Sequence, residues 1–247
     1  MSESAPASPP IDVRERGAPK DGAPVFLERR LFMQLLAFEC GPTLPTVRAI
    51  ERIGKKLESA RMPAVIYEDV NHPFGLAVLG FSEDPGDFVS KLRPTFSDEE
   101  LVGLRFRPEL TMLGRTYSTG YEQNLEYWLL ERPRQTVLNP AWNWAVWYPL
   151  RRKGEFERLD PKERGGILRE HGNIGKAYGD QDLAHDVRLA CHGLDENDNE
   201  FVLGLLGKEL HPLSHVVQSM RRTRQTSEFM EKMGPFFVGH AVFRCAG

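Results

Sequence analysis

A single imidazole on an amphipathic helix, answered by a strand that alternates polar and apolar side chains, can clamp a flat cofactor. The stretch from Ile167 to Asp195 has that form. Ile167, Leu168 and His171 fall at i, i+1 and i+4, roughly one stripe of a helix. Gly172 and Gly175 follow and remove side-chain bulk where a planar ligand or another backbone would approach. After a short polar break, His185, Val187, Leu189 and Cys191 alternate with Asp186, Arg188, Ala190 and His192, the period of a strand that stops at Gly193. His211 and His215 form an i, i+4 pair of the kind metal sites use, but Pro212 lies between them and no third ligand is evident, so a solvated helix start is expected.

The bulk composition narrows the classes around this stretch. The 247 residues suffice for one large domain or two small ones with a sizeable core. A net charge of -3 gives no broad attraction to nucleic acid or to an anionic membrane surface. Cys40, Cys191 and Cys245 are odd in number and lack metal-ligand spacing, which fits free thiols in a reducing, cytoplasmic compartment. No apolar run is long enough to span a bilayer. The Pro/Ala/Ser-rich start, residues 1–27, lacks the apolar core of a signal peptide and is expected to be a disordered tail.

The elements that must position the stretch fall into two similar halves. In residues 28–120, strands are expected over Arg30–Cys40, Ala64–Val70, Gly75–Phe81 and Leu110–Tyr117. Helices are expected over Thr43–Ala60, with Thr43 as candidate cap, and over Asp84–Leu92. Residues 121–141 form a connector containing Tyr127-Trp128 and Arg132-Pro133-Arg134. In residues 142–247, strands over Trp142–Arg151, His185–Gly193, Glu200–Leu206 and Pro235–Phe243 alternate with helices over Pro161–Tyr178 and Leu213–Arg222. Asp160-Pro161 supplies the cap and first turn of the former. Each half reads β-α-β-β-α-β, so the expected class is α+β, built from two ferredoxin-like repeats.

At the residue level the second half resembles the chlorite dismutase family of haem proteins, and within it the coprohaem decarboxylases. The resemblance rests on Tyr148-Pro149-Leu150, Arg169-Glu170-His171-Gly172, Gly193-Leu194-Asp195, Met220-Arg221 and Gly234-Pro235-Phe236-Phe237-Val238-Gly239, in that order. It covers roughly residues 134–239. The first half matches only in element order and in the Arg-Arg-Leu-Phe start of its first strand. The resemblance implies a dimeric α+β barrel, a haem or iron coproporphyrin III cofactor, and a homopentamer. It makes His171 the iron ligand, and imidazole is the usual proximal donor, needing an acceptor for its second nitrogen. It makes Tyr148 the reactive tyrosine that passes an oxidising equivalent from peroxide chemistry to a propionate. It also carries propionate contacts onto Arg134, onto Arg152 in place of the family's lysine, and onto Ser227 with a one-residue gap.

The chain departs from the family on the distal side. Counting back from Gly193-Leu194-Asp195, the distal position falls on Asp186. Arg188 shares its strand face, and a one-residue bulge would present His185 instead. Arg188 is taken as the distal cation, since it would attract anionic oxidants that an aspartate would repel. The segment between Tyr148 and His171 is shorter than in many of the decarboxylases and lacks their Trp-Tyr pair. The resemblance therefore implies peroxide-dependent decarboxylation of iron coproporphyrin III to haem b, with the porphyrin and hydrogen peroxide as partners. Chlorite breakdown or weak peroxidase activity is the runner-up, and a non-catalytic haem-binding or structural member the third reading.

Overall fold

The computed structural model describes residues 10–247. A ribbon of β1 (Glu15–Arg16) and β2 (Phe26–Leu27) leads into a first half made of β3 (Phe32–Cys40), α1 (Thr46–Ser59), β4 (Ala64–Asp69), β5 (Gly75–Ser82), β6 (Leu104–Phe106) and β7 (Met112–Arg115). After α2 (Arg132–Leu138), the second half runs β8 (Trp144–Arg152), α3 (Pro161–Asp180), β9 (His185–Ala190), β10 (Phe201–Gly207), α4 (Leu210–Met220), α5 (Arg224–Phe229), β11 (Met230–Met233) and β12 (Phe237–Cys245).

The two halves have the same lateral strand order. In the first it is β7-β3-β5-β4, and in the second β12-β8-β10-β9. Each places the fourth strand beside the first and the third between the first and second, which is the ferredoxin-like arrangement expected from the element order. The halves meet along two seams. β4 and β12 pair antiparallel from Gly239↔Asp69 to Cys245↔Ala64, whereas β7 and β9 share only Arg115↔Ala190. The strand pairings therefore form a ring.

Alternation along the strands divides the side chains between the inside and outside of this ring. Met33, Leu35 and Ala37 of β3 join Tyr67, Trp147, Val187, Leu189 and Phe237 in an interior core. The outward side chains form two further clusters, one under α1 and one under α3 and α4. These outer faces differ. α1 is held down by Ala49, Ile53, Gly54 and Leu57, all buried. A Cβ at Gly54 would lie 3.0 Å from the Phe243 ring. α3 is longer, yet only Ile167 is fully buried, and a Cβ at Gly165, Gly166 or Gly172 would meet nothing within 4 Å. The helix over the second sheet thus buries fewer side chains than its counterpart, with Ile174 and Tyr178 partly buried against the outer cluster.

Several sequence expectations are corrected. α1 starts after Pro45 with no side-chain cap, so Thr43 lies upstream of the helix it was expected to cap. The helix expected over Asp84–Leu92 forms only in part, as a wide-wound helix at Phe88–Leu92 followed by a tight 3-10 turn at Arg93–Phe96. Pro94 has no N–H to extend an α-helical ladder, and the Arg93 N–H reaches the Phe88 carbonyl five residues back. The same device recurs at Tyr127–Glu131, where the Arg132 N–H reaches Tyr127 just before Pro133. Of the tail expected to be disordered, residues 1–9 lie outside the described residues, but Glu15–Leu27 contains the ribbon. The Glu15 carboxylate accepts from Arg115 Nη1 at 2.8 Å and from the Ser118 N–H at 2.9 Å, tying this segment to the end of β7.

Candidate functional site

The outer face of the second sheet collects polar groups in register. Tyr148 of β8 pairs across Leu203 of β10 with Arg188 of β9, and Val146 pairs across Leu205 with Asp186. Directly opposed residues in an antiparallel ladder point to the same face. Tyr148, Arg188 and Asp186 therefore share the face that α3 covers. His185 is one residue out of phase and pairs with Leu206. No bulge interrupts His185–Ala190, so His185 points away from this face; it stacks on Trp142 at 3.5 Å and bonds Asp182. The bulged alternative is not adopted.

α3 brings His171 over the same face. Asp160 caps the helix as expected, its carboxylate accepting from the Lys162 and Glu163 N–H groups at 2.9 and 3.4 Å. His171 Nδ1 lies 3.2 Å from Thr223 Oγ1, and that hydroxyl lies 2.7 Å from the Met220 carbonyl. The hydroxyl has one proton and the carbonyl can only accept. Thr223 therefore donates to Met220 and accepts from His171 Nδ1–H, which leaves Nε2 with its lone pair free. Burial, set against the nearby Glu170 and aided by Arg188, lowers the His171 pKa and keeps the ring neutral. Thr223 is the acceptor that sequence reasoning could not identify. Fully buried, it occupies the turn between α4 and α5, where its carbonyl accepts the Ser227 N–H at 2.9 Å.

Tyr148 is buried and stacks on Phe236, with ring centroids 4.6 Å apart. Burial raises its pKa, Asp186 raises it further, and Arg221 partly offsets both, so the phenol stays protonated. Asp186 is shared between two arginines. Its Oδ2 pairs with Arg188 Nε at 3.0 Å, its Oδ1 accepts from Arg132 Nη2 at 2.6 Å, and its carbonyl accepts from Arg132 Nη1 at 2.9 Å. Desolvation pushes the Asp186 carboxyl up, but Arg188 and then Arg132 outweigh it and hold the pKa below the usual carboxylate value. Arg132 also lies over the Trp128 ring at 5.0 Å.

The structure does not bring the other expected contacts into this group in the expected way. Arg134 turns to the first half and pairs with Glu83 at 3.0 Å; its neighbour Arg132, two residues earlier, is the one that reaches the pocket. Arg152 is held by Glu200 and Glu157 and lies over the Phe156 and Phe201 rings. Ser227 gives its hydroxyl proton to the Thr223 carbonyl at 3.0 Å. Tyr117, which the sequence did not single out, packs on Phe201 at 5.5 Å within the electrostatic reach of Arg188, Arg152 and Asp186. Burial raises its pKa. A concavity of about 360 Å³, lined by Arg221, Thr226, Met230, Glu231 and Met233, opens beside α4 and α5.

The donor set fits an iron porphyrin. A lone neutral imidazole with a free Nε2 suits a metal that brings its remaining ligands with it. Among the described residues no group of three or more His, Cys, Asp or Glu side chains forms a metal cage, and His215 instead bonds Tyr178. His171 would hold the iron of such a porphyrin, and Tyr148 and Arg188 stand on the sheet face that α3 covers.

Known proteins share both the sequence pattern and the fold. Residues 86–242 match the sequence profile of the family described as chlorite dismutase. The coproheme decarboxylase of Thermus thermophilus is 31% identical over 112 residues, 44% of this chain, and the chain spans only 43% of that relative's length. Two solved structures have the same fold. A heme-binding protein from Thermus thermophilus aligns with a TM-score of 0.66 at 20% identity, over 88% of this chain and 92% of its own. A mutant chlorite dismutase from Candidatus Nitrospira defluvii aligns with a TM-score of 0.70 at 14% identity, over 88% and 93%. The matched stretch takes up more than half of the chain and contains His171, Tyr148, Asp186 and Arg188: this chain belongs to the chlorite dismutase family.

Proposed function

We propose that the protein binds iron coproporphyrin III and catalyses its peroxide-dependent oxidative decarboxylation to haem b. The observation that carries this reading is Tyr148, a buried, protonated phenol on the sheet face beneath His171. A one-electron relay needs a phenol that can lose its proton and electron together, and a buried, protonated Tyr148 meets that need. When bound, the iron porphyrin supplies the centre that peroxide oxidises.

The chain's own residues do the rest. His171 holds the iron through Nε2, with Thr223 fixing the ring. Tyr148 would pass oxidation to a reacting propionate, and its stack on Phe236 covers one face of the ring. Each of the two propionates that react would lose carbon dioxide, one proton and two electrons to become a vinyl group, and one peroxide per propionate would take the two electrons with two protons and leave as two waters. Arg221 makes no ion pair among the described residues, lines the open concavity and acts on Tyr148, so it is placed to meet a propionate. Arg152 and Ser227 join it only after giving up their present partners, and Arg134 only after leaving Glu83. A homopentamer in the cytoplasm completes the proposal; no helix among the described residues is long and apolar enough to cross a membrane.

Arg188 favours a second reading, chlorite breakdown or peroxidase chemistry, because a cation on this face attracts anionic oxidants. Tyr148→Phe separates the two. It should abolish decarboxylation, read as product mass after peroxide addition, and leave chlorite breakdown intact. Unimpaired decarboxylation by Tyr148→Phe would overturn the proposal. A haem-binding member without turnover, the third reading, would bind the porphyrin and leave its mass unchanged.

A further inference from the structure

The role of Asp186 follows from what it does to Arg188. Two cations and one anion meet on the face beneath His171, and both oxygens of the anion are occupied. Arg132 spends its charge on Oδ1, on the Asp186 carbonyl and on the Trp128 ring. Arg188, in the same cross-strand row as Tyr148, has its Nε against Oδ2. Tyr148, Tyr117 and His171 around them are neutral, while Glu122 reaches Arg188, Glu170 reaches His171 and Arg221 reaches Tyr148 electrostatically without an ion pair to either arginine among the described residues. A carboxylate 3.0 Å from a guanidinium lowers the field that guanidinium exerts on a ligand a few ångströms away, here with its charge shared between Arg188 and Arg132.

We infer that Asp186 is a specificity-determining residue that masks Arg188, so that the site takes a neutral oxidant, hydrogen peroxide, in preference to an anionic one such as chlorite. The inference rests on the haem-binding reading of the site. It requires that Arg188 be available for anions once the carboxylate is removed, and that Arg132 keep the Asp186 position folded through its bond to the main-chain carbonyl, which a side-chain substitution leaves in place.

The test is equilibrium anion binding by the ferric haem-loaded protein, which reads charge rather than turnover. Fluoride and azide would be titrated against the Soret band, with imidazole as the neutral ligand, at about pH 8 where imidazole is uncharged and Asp186 ionised. Asp186→Asn should tighten fluoride and azide by about tenfold or more and move imidazole by less than about threefold. Adding Arg188→Leu to Asp186→Asn should remove most of the anion gain, the remainder belonging to Arg132, which also loses its carboxylate partner. Asp186→Ala gives the same comparison if the asparagine variant does not fold. Unchanged anion affinity in a folded, haem-loaded Asp186 variant, or an equal gain for imidazole, would overturn the inference alone. Failure of the wild-type protein to develop a Soret band would overturn the haem reading and the inference together.

Discussion

The decisive contacts at the residue scale are those that set a protonation state. Thr223 has no charge, yet its single hydroxyl proton, committed to Met220, dictates which nitrogen of His171 is free. Thr223→Val should therefore mix the imidazole tautomers in the unloaded protein, visible as a change in its 15N histidine spectrum. It should also weaken haem binding by roughly tenfold to a hundredfold, the usual effect of losing the partner of a ligating histidine. A spectrum identical to wild type would remove Thr223 from this role. His171, Tyr148, Asp186 and Arg188 could all be picked out in the sequence, from strand alternation and from the family tags. Thr223 could not, since it lies fifty-two residues from His171. Arg132 was passed over for Arg134 because spacing alone cannot separate two arginines around a proline. The wide turn before Pro133 fixes where Arg132 goes, and that turn has no simple sequence period.

At the scale of elements, the two outer helices make an internal comparison. α1 and α3 occupy equivalent places in the two halves, but only α1 is packed as a core helix. Leu57→Ala, at a fully buried position of α1, should destabilise the protein by about 2–5 kcal/mol. Leu168→Ala, on α3 and 43% exposed, should change stability by no more than about 0.5 kcal/mol. Both are read by urea unfolding, and a Leu168 variant as costly as Leu57→Ala would mean that α3 is held to the sheet by packing. The eight main strands are legible within about three residues because alternation and turn residues agree along them, whereas the short β1, β2 and β6 carry no such pattern. The second helices of each half were less so. Pro94 breaks the first, and in the second α5 and β11 follow α4 with no apolar period to mark them.

For the whole molecule, ring closure is unequal. The β4–β12 seam is a long antiparallel ladder with one bulge between Ala241 and Phe243, whereas β7 and β9 pair only at Arg115↔Ala190. Hydrogen exchange should show the β7–β9 seam opening first, since a junction with so little pairing has less to break than a long ladder. Glu15 bonds Arg115 on β7, so Glu15→Gln should speed exchange at that seam and leave β4–β12 unchanged. The repeat of element order was readable in the sequence, as was the ferredoxin-like order within each half. Which edges join was not, because pairing between halves depends on contacts more than a hundred residues apart, such as Ala64 with Cys245.

If His171 and Tyr148 make this protein a coprohaem decarboxylase, ferric coprohaem must bind through the one and lose carboxyl groups through the other. The most direct measurement is to titrate the purified protein with ferric coprohaem, add hydrogen peroxide, and follow the Soret band and the mass of the porphyrin. The expected result is a Soret band that His171→Ala removes, followed by loss of carboxyl groups as carbon dioxide that Tyr148→Phe prevents. A porphyrin that binds through His171 and keeps its full mass under peroxide would contradict the account.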